Sequence, residues 1–181
     1  MRIAVMSLTR DRLAYSKHCF DRLHDLAGIS FDHYVWDQGS TDGTSEWLRD
    51  TYDPDFLCLS PENVGISKAL NGLLDWASES VYDVIVKVDN DCELVTEGAL
   101  KDCAKFVVEN PEWLISPRIE GLNQTPPTVE VIDFPQGRVL RKPQIGGILL
   151  AANADVYRDF RYDESNPVWG LDDAEICRGR L

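Results

Sequence analysis

Val84-Ile85-Val86-Lys87-Val88-Asp89-Asn90-Asp91 is the stretch from which the rest of the chain can be read. Its first five residues read as a buried strand, and two acids follow at the tip. Side chains two apart on an extended chain point the same way, so Asp89 and Asp91 leave on one side and Asn90 on the other. Two carboxylates at a strand tip suit a hard divalent cation. Magnesium and manganese prefer oxygen ligands and often share their shell with substrate phosphates. A solvated turn is the plain alternative, because D-x-D also arises by chance in acidic proteins. The neighbouring segments bear on that choice.

Outward from this strand the chain alternates. Residues 2–8, 31–37 and 56–59 read as further strands, and residues 13–27 and 67–78 as helices. Cys19, Phe20, Leu23, Leu26 and Ala27 give the first helix an apolar face. Leu70, Leu73, Leu74 and Ala77 do the same for the second. Gly39-Ser40-Thr41-Asp42-Gly43 is dense in turn formers, and Thr44 is placed to cap a short helix through Leu48. Thr96 is placed to cap a helix running to Glu109. This alternation predicts an α/β fold with a mostly parallel central sheet flanked by helices.

The last third reads differently. Residues 113–119 and 128–132 look like strands, with a Pro/Asn/Gly-rich connection from Pro117 to Pro127. Gly146-Gly147 precedes a strand over 148–152. A short helix is expected near 153–160, and Asp172-Asp173 open a final helix. A small antiparallel addition is therefore expected in this third. No linker divides the chain, which predicts one domain.

Composition narrows the function classes. Across 181 residues, 44% are hydrophobic and 27% charged, as in soluble globular proteins. A formal net charge of -13 argues against nonspecific nucleic-acid binding and against simple docking to anionic lipid. The five cysteines, Cys19, Cys58, Cys92, Cys103 and Cys177, are odd in number and form no C-x-x-C pair. Reduced thiols in the cytoplasm are the simple reading. No apolar run reaches transmembrane length, and the N-terminus is too soon polar for a signal peptide. Peripheral membrane contact stays compatible with all of this.

In open α/β sheets, ligands bind outside the carboxyl ends of the strands. Thr9-Arg10-Asp11 follows the first strand, Asp37-Gln38-Gly39 the second, and Asn63-Val64-Gly65 the third, leading into a helix with Lys68 and Asn71. With Asp89 and Asp91, four strand ends bring acids, an arginine and a lysine together. That grouping suits a nucleotide diphosphate held by a metal. Each residue taken alone also has a plain reading as surface charge or turn.

The ordered segments Ile3-Ala4-Val5-Met6-Ser7-Leu8-Thr9-Arg10, Val35-Trp36-Asp37-Gln38-Gly39-Ser40-Thr41-Asp42-Gly43-Thr44, Glu62-Asn63-Val64-Gly65 and Asp89-Asn90-Asp91 resemble the family 2 glycosyltransferases of the GT-A fold. Gly146-Gly147 and Trp169-Gly170-Leu171-Asp172-Asp173-Ala174-Glu175 continue the likeness. The resemblance implies a single GT-A (Rossmann-like) domain. Residues 1–95 would bind a nucleotide-sugar and residues 96–181 an acceptor. It implies transfer of a sugar from a nucleotide diphosphate-sugar to a hydroxyl of a glycan, lipid-linked or other acceptor, with inversion and with Mn2+ or Mg2+. On that likeness Thr9 and Arg10 border the nucleotide, and Asp37 and Gln38 lie near base and ribose. Lys68 approaches the sugar-phosphate side, and Asp89 and Asp91 touch ribose and metal. Gly146, Gly147 and Trp169 line the acceptor cleft. Asp173 is the expected catalytic base, with Asp172 the second choice.

The chemistry fits two acidic sites on opposite sides of a donor sugar. One carboxylate takes the acceptor's proton, and the other pair anchors a cation that offsets charge on the leaving diphosphate. Trp169 reads equally well as core packing, and Asp172-Asp173 as a helix cap. Three departures stand out. Gln38 replaces an acid that usually reads the base. Asp172 replaces a glutamate. The chain also stops before the position where many members supply a histidine ligand. Either the metal is held by Asp89, Asp91, phosphates and water, or residues of a longer enzyme follow. Two further readings are a non-catalytic nucleotide- or glycan-binding module and a sugar-1-phosphate nucleotidyltransferase. The latter's glycine-rich first loop is absent from Ser7-Leu8-Thr9-Arg10-Asp11-Arg12.

Overall fold

The computed structural model describes residues 1–120, 130–134, 137–142, 145–158, 160–165 and 176. The elements run β1 (Ile3–Thr9), α1 (Leu13–Leu26), β2 (Asp32–Gln38), α2 (Thr44–Trp47), β3 (Phe56–Ser60), α3 (Ile66–Ser78), β4 (Val84–Val88) and α4 (Ala99–Glu109). Then follow β5 (Leu114–Ile115), β6 (Glu130–Phe134), β7 (Gly137–Arg141), β8 (Leu149–Asn153) and α5 (Asp155–Arg158). Six strands form one sheet in the order β3-β2-β1-β4-β8-β5, and β6-β7 form a separate pair. β1 to β4 are mutually parallel where they pair, while β8 runs antiparallel to both β4 and β5. The expected parallel sheet with a small antiparallel addition is what the chain forms.

Period-two alternation explains the two-sided core. Ile3, Val5, Val84, Val86 and Val88 pack with Leu100, Ala104 and Phe106 of α4 on one face. Ala4, Met6 and Ile85 pack with Leu70, Leu73 and Leu74 of α3 on the other. Strands buried on both faces read as continuous apolar runs, as β1 and β4 do.

Some local expectations are corrected. Thr96 does not cap α4 with its side chain; Gly98 is the cap residue, in the left-handed region at φ 78°. The Gly98 N–H instead donates to Leu26 O over 2.7 Å, which ties the start of α4 to the end of α1. Thr44 lies inside α2, whose cap residue is Gly43 at φ 93°, and Asp42 just before it accepts from the Thr44 N–H and hydroxyl. α2 continues as a π-helical turn over Leu48–Tyr52. The strand expected over 113–119 is only Leu114–Ile115, and Pro117, which has no N–H to donate, stands just beyond it. β7 was not foreseen. Its Gly-Arg-Val-Leu-Arg sequence is too polar to signal a strand, and its pairing with β6 makes it one. Of the helix expected from Asp172, only Ile176 is among the described residues; it is helical and packs in the core on the α3 side.

Candidate active site at the carboxyl edge of the sheet

Because β1 to β4 are parallel, their carboxyl ends share one edge. β2 and β3 lie to one side of β1, and β4 lies to the other, so the strand order reverses between β1 and β4. A crevice at such a reversal is where open α/β sheets place ligands. The register sets Thr9 opposite Asp37, and Asp37 opposite Leu59.

The loops leaving that edge are bonded to one another. Asp37 is fully buried. Its oxygens accept from Thr9 Oγ1 (2.7 Å), Ser40 Oγ (2.5 Å), Ser40 N (3.0 Å) and Ser45 Oγ (2.7 Å). A buried carboxylate is tolerated when donors surround it in this way. Ser40 Oγ in turn accepts from Asp11 N over 2.7 Å, and Asp11 Oδ1 accepts from Thr41 N over 2.8 Å. Asp42 Oδ2 accepts from Leu13 N at the start of α1 over 2.8 Å. Gln38 Oε1 accepts from Val64 N over 3.1 Å, joining β2 to the β3–α3 loop. The D-Q-G-S-T-D segment therefore holds the first and third loops in place. Gly39 is required there. Its φ is +73°, and an added Cβ would lie 3.0 Å from Pro61 O.

Both acids of the D-N-D triplet are paired to cations of the protein. Arg12 Nη1 lies 2.6 Å from Asp91 Oδ2, and Lys87 Nζ lies 2.9 Å from Asp89 Oδ1. Lys87 is only 7% exposed. Its ammonium also donates to Gly147 O over 2.8 Å. The triplet is a turn beyond β4 and not an extended strand end, so the expected alternation does not hold: Asn90 donates to Ser16 Oγ on α1 over 2.9 Å, one helical turn from the Arg12 that meets Asp91. Burial, with Asp89, Cys19 and Asp91 adding to it, pushes the neighbouring Cys92 thiol up to about 11. Cys92 thus stays protonated, a packing residue.

Arg10 and Lys68, the basic residues the sequence pointed to, are exposed at this edge. Neither makes an ion pair among the described residues. Arg12 and Lys87 were missed. A lysine inside a five-residue run that is otherwise Val and Ile was the available signal for Lys87, since an unpaired buried charge is costly. Nothing in the local sequence singles out Arg12. Asn71 is spent elsewhere: its amide donates to Tyr162 O and Glu164 Oε1, and accepts from Tyr162 N.

The donor chemistry fits a hard cation, with limits. Asp89 and Asp91 offer only oxygen, their side chains are 38% and 42% exposed, and both already sit against positive groups. Among the described residues, no three His, Cys, Asp or Glu side chains are grouped to hold a metal. Two carboxylates would need phosphate and water oxygens to complete a shell.

The Gly146-Gly147 segment reaches the same edge through β8. Asp89 N donates to Ile148 O over 2.8 Å, beside the Lys87–Gly147 bond. A Cβ added to Gly146 would meet nothing within 4 Å, so open space adjoins it. Trp169, Asp172 and Asp173 lie outside the described residues. No helix among the described residues is long and apolar enough to cross a membrane.

The family model described as glycosyl transferase family 2 matches residues 5–146. No curated protein matches the chain. Among solved structures, the mannosyltransferase PcManGT from Pyrobaculum calidifontis, in complex with GDP-Man and Mn2+, is 18% identical with a TM-score of 0.66. That match covers 98% of this chain and 51% of the other. TarS from S. aureus in complex with UDP is 19% identical with a TM-score of 0.71, over 99% of this chain and 54% of TarS 1-349. The same protein with UDP-GlcNAc is 18% identical with a TM-score of 0.66, over 88% and 47%. The chain spans about half the length of the structures it matches, and at these identities the likeness is one of fold.

Proposed function

The chain belongs to glycosyl transferase family 2, and from that premise we propose that it transfers a sugar from a nucleotide diphosphate-sugar to an acceptor hydroxyl, with inversion. The observation that carries the reading is the convergence of three hydrogen-bonded loops with the loop bearing Asp89 and Asp91 at the β1–β4 reversal. Thr9 and Arg10 border the nucleotide. Asp37 and Gln38 shape the wall near base and ribose, Asp37 by holding the Gly39–Thr41 turn. Exposed Arg10 and Lys68 are available to the diphosphate, Lys68 on the sugar side. The binding of GDP-Man, UDP and UDP-GlcNAc by proteins of this fold supports a nucleotide-sugar donor.

Asp89 and Asp91 would hold Mn2+ or Mg2+ together with phosphate oxygens, and PcManGT's Mn2+ supports that proposal. The chemistry such an ion supplies is Lewis-acid stabilisation of the leaving diphosphate. Gly146, Gly147 and Trp169 would face the acceptor, a glycan, lipid-linked or other hydroxyl compound. Asp173 would take the hydroxyl's proton as it attacks the anomeric carbon, with Asp172 the second choice. We place the reaction in the cytoplasm, on the lack of any cysteine pairing pattern. Cys19, Cys58, Cys92 and Cys103 are all free thiols.

The test is a thermal-shift series with UDP and GDP, with and without manganese, followed by donor hydrolysis and transfer assays. A nucleotide that binds the folded form raises its melting temperature by mass action. Manganese-dependent stabilisation together with turnover is expected. Retained binding without turnover under any donor would favour a binding module instead.

A further inference from the structure

We propose that Arg12 is an internal counter-cation that competes with a divalent ion for Asp91, and so sets how tightly this edge of the sheet takes up metal. The inference rests on the donor-site reading above and concerns a residue outside the motifs that define it.

The contact itself is direct. Arg12 Nη1 lies 2.6 Å from Asp91 Oδ2. The two side chains are 57% and 42% exposed, so the pair can open to solvent without unpacking the core. A carboxylate oxygen that already accepts from a guanidinium is a poorer ligand, because its charge is partly neutralised there. The guanidinium also repels any cation that approaches.

The backbone gives the second, independent observation. Asp11 and Arg12 are consecutive non-glycine residues in the left-handed region, at φ 55° and 61°. The only other such residue among those described is Asp53. L-residues resist this conformation, so it persists only where the surroundings over-determine it. Here they do. Asp11 N donates to Ser40 Oγ, and Asp11 Oδ1 accepts from Thr41 N. Ser40 is itself anchored on buried Asp37. A bonded chain thus runs from Asp37 through Ser40 and Asp11 to the residue that holds Asp91. From this left-handed turn Arg12 meets the acid that follows β4.

A merely structural Arg12 and a competing Arg12 predict opposite results. If the guanidinium only orders the Asp91 loop, its removal loosens the site and weakens metal binding. If it competes, removal strengthens binding. The probe is Mn2+ alone, titrated into the full chain without nucleotide and followed by loss of the free-ion EPR signal. Arg12→Asn suits the left-handed backbone, and Arg12→Gly relieves its strain, so at least one variant is expected to keep the fold by circular dichroism. Both should bind Mn2+ about threefold or more tightly than the parent, the scale of breaking a half-exposed ion pair. Adding Asp91→Asn should abolish the gain. Equal or weaker Mn2+ affinity in a folded variant would overturn the proposal. So would a gain that survives Asp91→Asn, or no Mn2+ binding by parent and variants alike. UDP and GDP thermal shifts on the same proteins separate the two readings. Tighter Mn2+ without nucleotide binding sinks the donor site and leaves the Arg12 competition standing.

Discussion

The ammonium of Lys87, buried within β4, donates to the carbonyl of Gly147 over 2.8 Å and pairs with Asp89 Oδ1 at 2.9 Å. One side chain thereby joins the first acid of the D-N-D triplet to the glycine segment leading into β8. On the proposed function, this bond couples the donor side of the crevice to the acceptor side.

Lys87→Met keeps the length and removes the charge. It removes the buried donor to Gly147 O, at a cost of about 1–3 kcal/mol. Chemical denaturation should show a lower midpoint at an unchanged m-value. An unshifted midpoint would mean the bond contributes nothing net.

Thr9→Val tests the link between β1 and β2. Thr9 is buried, and its hydroxyl donates to the fully buried side chain of Asp37. Valine has nearly the same shape, so the loss is that of a charge-assisted hydrogen bond, about 1.5–3 kcal/mol. The same variant should weaken nucleotide binding if the Asp37 cluster shapes the nucleotide wall. Calorimetry with the nucleotide found by thermal shift would measure that.

His33 gives an acid-side prediction. It is buried, with Nδ1 hydrogen-bonded to Tyr52 Oη at 2.5 Å and Nε2 to Ser7 Oγ at 3.0 Å. Tyr52 Oη also meets His24 Nε2 at 2.6 Å. Burial, helped by His24, pushes the His33 imidazole down to about 3 from an ordinary 6.5. The unfolded chain therefore binds a proton between those values that the folded chain does not. Stability from this group is complete above pH 6.5 and is lost as pH falls from 6.5 towards 3. His24, lowered chiefly by burial, adds in the same direction. The His33 loss reaches at most about 5 kcal/mol across the window. His33→Gln should flatten the slope of denaturation free energy against pH there. A slope identical to the parent's would show that His33 is not the titrating group.

Asp173→Asn should leave donor binding nearly intact and sharply lower transfer, as for a group acting in the transition state. Asp172→Asn should do less. Kinetics of both variants decide between them, and loss of transfer in Asp172→Asn alone would reassign the base.

Much of the fold was legible because β1 and β4 are buried on both faces and so are continuously apolar, while α1 and α3 carry helical stripes. Those signals are local. β7 was missed and the Thr96 position misread, because pairing across a hairpin and a helix-to-helix backbone bond are not local. The same division holds at the site. That Thr9, Asp37, Asp89 and Asp91 sit at the carboxyl edge of the sheet could be read from the sequence, because strand tips and turn formers mark that edge. What each of them touches could not be read. Asp37 is consumed by four donors, Arg10 stands exposed, and the cations against the acids are Arg12 and Lys87. Arg12 reaches Asp91 across 79 positions of chain. Periodicity and turn chemistry act over a few residues and settle which elements form. Charge pairing acts through space, so only the order of strands in the sheet and the left-handed turn at Asp11-Arg12 could decide it.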